Sequence, residues 1–143
     1  MTLINQLLWG SALLCVSAIL HVGVLAAALA LVRRLRRTTE HWRATMRYVA
    51  ATGTSFSSVV VAHTLQVWVW AVAVLWLQAL PDFEASVYFS LVTATTVGYG
   101  DVVLPEGFRI FGGMGAVTGL LTFGLSTAFL IGVVERIGGE ARD

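Results

Sequence analysis

Apolar residues dominate three long windows of this chain that contain no charged side chain: residues 1–32, 48–81 and 110–134. Each exceeds the roughly 20 residues that a helix needs to cross a hydrocarbon core, so the pattern predicts three membrane-spanning helices. A fourth uncharged stretch, 85–100, is shorter and holds several Thr and Gly. It makes a poor spanning helix and a better re-entrant segment. The expected first helix covers about 3–32, and the second starts somewhere in the small, polar stretch 50–58 and ends near Leu80, before Pro81. Asp82 is a good N-cap for a short helix over 83–95, and Glu84 in its first turn complements the helix dipole. That helix is about 18 Å long, roughly half a membrane. A last span is expected over 108–134. The segments are then an extra N-terminal helix (1–32), an arginine-rich loop (33–48), one unit over 49–137 (outer helix 49–80, short helix 83–95, inner helix 108–134) and a short tail (138–143).

Side chains within the spans refine this picture. Trp9 and Trp76 suit the outer interfacial belt and Trp42 the inner one, whereas Trp68 and Trp70 are too central and are expected between helices or against lipid. The last span carries Gly112, Gly113, Gly115, Gly119 and Gly124, and the spacing of Gly115 and Gly119 lets helix backbones approach closely.

Composition agrees with a membrane protein. The chain of 143 residues is 57% hydrophobic and 12% charged, too apolar for a water-soluble domain of this size, and nothing in it points to nucleic acid. Cys15 stands alone, reads as a small apolar residue in a helix, and does not report the redox compartment. The net charge of +1 says less than the placement of the arginines. Arg33, Arg34, Arg36, Arg37, Arg43 and Arg47 fall between the first two spans, opposed only by Glu40. By the positive-inside rule that loop is cytoplasmic. The N-terminus then faces outside, and the C-terminus, with Arg136 and Arg142, faces inside, in a multi-pass cell-membrane protein. A cleaved signal peptide is not expected, because the leading apolar run is too long and no positive charge precedes it. The arginines come in adjacent pairs at a span boundary rather than at every third residue within a span, so they read as a topology signal and a site for anionic lipid at Arg33, Arg34, Arg36 and Arg37, not as a voltage sensor.

The distinctive chemistry follows the short helix, in Thr96-Val97-Gly98-Tyr99-Gly100-Asp101. A potassium ion leaves water only if oxygens replace its hydration shell, and a ring of backbone carbonyls does this. Pointing successive carbonyls at one axis requires alternation between ordinary and left-handed dihedrals, which glycine tolerates. Thr93-Ala94-Thr95-Thr96-Val97-Gly98-Tyr99-Gly100-Asp101 matches the filter string of potassium channels without a departure, and the run from Gly119 to Ala128 resembles their bacterial inner helices. The chain thus resembles the pore module of potassium channels over about 59–136, preceded by a helix outside that resemblance.

The resemblance implies an all-α membrane protein: three transmembrane helices plus a re-entrant pore helix and filter loop, in a fourfold-symmetric homotetramer. It implies K+ held by Thr96, Val97, Gly98 and Tyr99, with Gly100 completing the filter, Thr95, Tyr88 and Asp101 supporting it, Thr127 lining the cavity and Gly119 as a gating hinge. Gly119 equally suits close packing behind the filter. Tyr88 and Phe89 match an adjacent aromatic pair of the family; only Tyr88 has a hydrogen to donate, and Asp101 is its expected acceptor. Val92 stands where some relatives have a carboxylate, so Tyr88 to Asp101 is the main polar strut expected. The outer mouth carries Asp82, Glu84, Asp101 and Glu106 against Arg109, a balance that concentrates cations.

His21 and His63 are the only ionisable side chains within the three windows apart from Cys15 and Tyr48. They suit a neutral interhelical hydrogen bond or a proton sensor. The expected function is passive K+ conduction without catalysis and without a cofactor other than filter-bound K+. Alternatives are a weakly selective cation channel and a non-conducting pore-fold scaffold. A secondary transporter would show repeated halves and a midplane acid, and these spans hold no Asp or Glu. Neither a nucleotide- or calcium-binding domain after the last span nor gating by one in cis is expected.

Overall fold

The three charge-free windows form the centres of three long helices, and the short uncharged stretch supplies a fourth between the last two. The computed structural model describes residues 1–39, 41 and 43–139. It contains α1 (Leu3–Thr38), α2 (Ala44–Trp76), α3 (Phe83–Ala94) and α4 (Arg109–Gly139), with one 3₁₀ turn at Glu106–Phe108 leading into α4. No strand occurs among the described residues. Three helices are long and apolar enough to cross a membrane, and every regular element among the described residues is helical.

Helix ends depart from the charge pattern, because arginine is a good helix former and a charge does not end a helix. α1 continues past Val32 to Thr38, where Arg36 and Arg37 in its last turn meet the negative end of the dipole. Most of the expected 33–48 loop is therefore helix, and only 39–43 connects α1 to α2. Glu40, Trp42 and Arg142 lie outside the described residues. α2 begins at Ala44, ahead of the stretch expected to delay it, and within that stretch the hydroxyls of Thr54, Ser55 and Ser58 are satisfied by carbonyls one turn back. It ends at Trp76 rather than near Leu80, closed by Gln78 in the left-handed region (φ 53°). The bonds from Ala79 N to Val74 O (3.0 Å) and from Gln78 N to Leu75 O (2.9 Å) make this a Schellman cap with glutamine where glycine is usual. α3 ends at Ala94 rather than residue 95, and α4 runs on to Gly139 rather than stopping at 134.

α1 buries one stripe, Gln6, Gly10, Ser17, His21, Leu25, Ala28 and Val32, spaced three, four or seven apart. That stripe packs on α2 and α4 of the same chain. Gln6 also caps α4: its Oε1 accepts from Ile110 N (3.1 Å) and Phe111 N (3.4 Å), two amides that lack a partner inside their own helix. Trp70, Val74, Ala79, Leu104 and Phe111 form an apolar cluster at the end nearest α3. Val32, Ala51, Val133 and Ile137 form a second at the arginine end. Along α1 and α4 the buried polar residues Ser17, His21, Thr118, Thr122 and Ser126 lie between them. Trp9 and Trp76 meet edge-on at 5.8 Å, both well exposed. Of the two central tryptophans, Trp70 is buried against Phe111 and Trp68 is exposed.

Candidate functional site

Asp82 caps α3 as its sequence position predicts, with Oδ1 accepting from Ala85 N at 2.8 Å. At the other end the chain folds back on the helix. Thr93 O accepts from Thr96 N (3.0 Å), and Val92 O accepts from Val97 N (3.1 Å) and Gly98 N (3.3 Å). Thr95 Oγ1 donates to Leu91 O at 2.8 Å. The first loop amides are thus fixed to the negative end of α3.

Beyond this anchor φ is positive at Thr96 (60°), Gly98 (55°) and Gly100 (80°), and at neither Val97 nor Tyr99. Every second residue is left-handed, the alternation that lets consecutive carbonyls face one axis. For Thr96, which has a Cβ, this conformation costs about 1–3 kcal/mol, and its hydrogen-bonded amide helps to hold it there. Val97 is 50% and Tyr99 73% exposed, so the loop lies on the outside of the single subunit with no wall opposite.

The hydrogen bond expected between Tyr88 and Asp101 is present. Tyr88 Oη donates to Asp101 Oδ2 at 2.6 Å, while Asp101 Oδ1 accepts from Val102 N at 3.0 Å. The Tyr88 hydrogen bond holds the Asp101 carboxyl below its ordinary range, and the same bond pushes the Tyr88 phenol up. A depressed carboxyl keeps the strut intact above the ordinary carboxylate range and loses it as pH falls through the depressed value. Phe89 makes no such bond and joins the apolar cluster of Trp70 and Phe111. In a potassium-conducting assembly, Tyr88→Phe should therefore give faster or deeper inactivation in low external potassium, read from macroscopic currents. Unchanged inactivation would remove the strut from the account.

Two glycines of α4 seat the neighbouring helices. A Cβ at Gly115 would press on the Trp70 ring, with Cε3 at 3.3 Å, and one at Gly119 would collide with the carbonyl oxygen of Ala94. Gly119 is thus in backbone contact with the end of α3, and α4 is continuous through it. Thr127 lies on the exposed side of α4 with its hydroxyl bonded to Phe123 O at 2.9 Å. Val117, Leu120, Leu121, Leu125 and Ile131 on α4 are also exposed in the single subunit. At the mouth Glu106 lies 3.7 Å from Arg109, an exposed pair that contributes little stability.

The two histidines are brought together. His21 Nε2 lies 2.9 Å and His63 Nε2 3.2 Å from Ser126 Oγ, with the two rings edge-on at 4.8 Å and His63 stacked on Phe123 at 4.3 Å. Ser126 and Gln6 make the contacts between helices that sequence reasoning missed. The signal for Ser126 was available in Thr118, Thr122 and Ser126, which recur every fourth residue and so put a polar stripe on one face of α4.

Known proteins resemble parts of this chain. A family model described as "Ion channel" matches residues 60–136. The potassium voltage-gated channel protein shk-1 of Caenorhabditis elegans is 45% identical over 51 residues, covering 35% of this chain and 10% of that protein. The chain thus matches about a tenth of the length of that relative. No solved structure matches.

Proposed function

This chain belongs to the ion channel family as a pore module of the potassium channel type, and from that premise we propose that four copies surround one path conducting K+ down its gradient. The observation that carries the reading is the alternation of positive φ at Thr96, Gly98 and Gly100, anchored on the end of α3. One chain contributes one such loop, whereas a carbonyl cage around an ion needs four. Fourfold assembly would also cover the exposed loop and give the exposed face of α4 a neighbour or an aqueous cavity.

In this reading carbonyls of Thr96, Val97, Gly98 and Tyr99, with the Thr96 hydroxyl, hold dehydrated K+. Thr95, Tyr88 and Asp101 brace the loop. α3 dips into the membrane as a pore helix whose negative end faces the cavity, and Thr127 lines that cavity. The arginine end is cytoplasmic and the filter end faces outside in the cell membrane. The chain moves ions and carries out no catalysis.

Flux of K+ against Na+ into liposomes holding the purified protein tests this. Selective K+ uptake that Gly98→Ala abolishes is the expected result, since an L side chain in the left-handed region costs about 1–2 kcal/mol in each subunit. Equal K+ and Na+ flux would make the protein a weakly selective cation channel. A folded tetramer without flux would make it a non-conducting scaffold.

A further inference from the structure

The arginine ends of α1, α2 and α4 border an open-sided cavity of about 780 Å³, within the size range of small-molecule sites. Its rim holds Arg33, Arg36 and Arg37 from α1, Arg47 from α2 and Arg136 from α4. The α1 arginines are three and four residues apart and so share one side of that helix. No carboxylate lines the cavity among the described residues. Arg33, Arg37, Arg47 and Arg136 therefore bring four cations to a single opening beside Arg36, and the buried Nε of Arg47 has no hydrogen-bond partner among the described residues. Deeper in, the lining turns apolar, with Leu29, Val32, Phe129, Gly132 and Val133.

We propose that this cavity binds an anionic phospholipid, its phosphate on the arginine rim and one acyl chain over the apolar floor between α1 and α4. Guanidinium groups suit phosphate because their planar donors bond two oxygens at once. A free anion would use the rim and leave the floor empty, whereas an amphiphile matches both parts. General attraction between a basic loop and an anionic membrane does not account for the arrangement. Arg34, which the charge pattern alone put with the lipid-binding arginines, does not line the cavity, nor does Arg43 of the same basic segment, while Arg136 is remote in sequence and does. The site rests on the proposed membrane placement, with the arginine end at the interface. A lipid seated there would tie the end of α4 to α1 and α2.

Lipid retention by the purified full chain tests the proposal, measured by native mass spectrometry with dioleoylphosphatidylglycerol or dioleoylphosphatidylcholine supplied in detergent. The wild type should retain phosphatidylglycerol in preference to phosphatidylcholine. Arg47→Gln with Arg136→Gln should weaken retention on the order of thirtyfold, from the usual contribution of two basic residues near anionic lipid. Arg34→Gln with Arg43→Gln removes the same charge outside the cavity and should leave retention within about twofold of wild type. Equal loss in both double variants would overturn the proposal in favour of diffuse surface attraction. Gly132→Leu keeps every arginine and projects into the cavity floor, where an added Cβ meets nothing within 4 Å. It should also abolish retention, and it serves if the arginine variant does not fold. Inorganic phosphate that displaces the lipid at equal concentration, or Gly132→Leu that retains it fully, would show a site for a free anion instead. Because retention is read without flux, a protein that keeps phosphatidylglycerol and conducts nothing would sink the channel reading alone.

Discussion

Gly119→Ala should abolish both K+ flux and the assembled tetramer. A Cβ at that position falls on the carbonyl oxygen of Ala94 and within 2.7 Å and 2.8 Å of its carbonyl carbon and Cα. What it meets is backbone, which has no alternative rotamer, at the end of the helix from which the loop amides of Thr96, Val97 and Gly98 hang. Overpacking of this kind costs about 1–3 kcal/mol, and fourfold assembly would repeat it in every subunit at the base of the filter. Gly124→Ala provides the contrast, because its Cβ meets nothing within 4 Å and alanine is the better helix former by about 1 kcal/mol. It should assemble and conduct as wild type does, judged by size-exclusion chromatography and liposome flux. A hinge at Gly119 predicts something else: a Gly119→Ala tetramer that assembles, keeps its selectivity and opens with altered probability. That outcome would replace packing with bending as the role of this glycine.

The contrast between these two glycines marks where sequence stops being informative. Both stand in one apolar helix, and only the approach of α3 distinguishes them. The spans themselves were legible because a membrane requires long charge-free windows. Their ends were not, since Arg33 to Arg37 are as compatible with helix as with loop, and Gln78 has no preference that announces a left-handed cap. Asp82 was legible because an N-cap bond is local, reaching only to Ala85. Gln6 was not, because its partners Ile110 and Phe111 lie at the far end of the chain. Tyr88 and Asp101 could be paired in advance only through the resemblance to potassium channels, whose pore helix fixes the route between them. The basic segment was visible as charge, yet the meeting of Arg47 with Arg136 depends on how three helices pack.

The second large effect expected is on pH dependence, and it comes from the joint that holds α1, α2 and α4 through one oxygen. Ser126 Oγ has one hydrogen, so it can donate to one ring nitrogen while accepting from the other, which satisfies His21 and His63 together when both rings are neutral. A protonated ring must donate from both nitrogens, and His21 Nδ1 is buried with no acceptor. No Asp, Glu, Lys or Arg occurs in the windows 1–32, 48–81 and 110–134 that surround the pair, so no counterion is at hand. A charge on either ring also faces the other ring at 4.8 Å. Acid should therefore break the joint and loosen α1 from α4, lowering both the unfolding midpoint and the K+ current. Ser126→Ala should reproduce the loosened state at neutral pH, since each buried nitrogen left unpaired costs about 1–3 kcal/mol. The scan runs from about pH 8 to about pH 4, which brackets the range of histidine titration. His21→Gln with His63→Gln should flatten the current across it, because the Asp101 carboxyl, held below its ordinary range by Tyr88, titrates below the acid end of the scan. Superimposable pH–current curves for wild type and the double variant would show that the joint is structural and senses nothing.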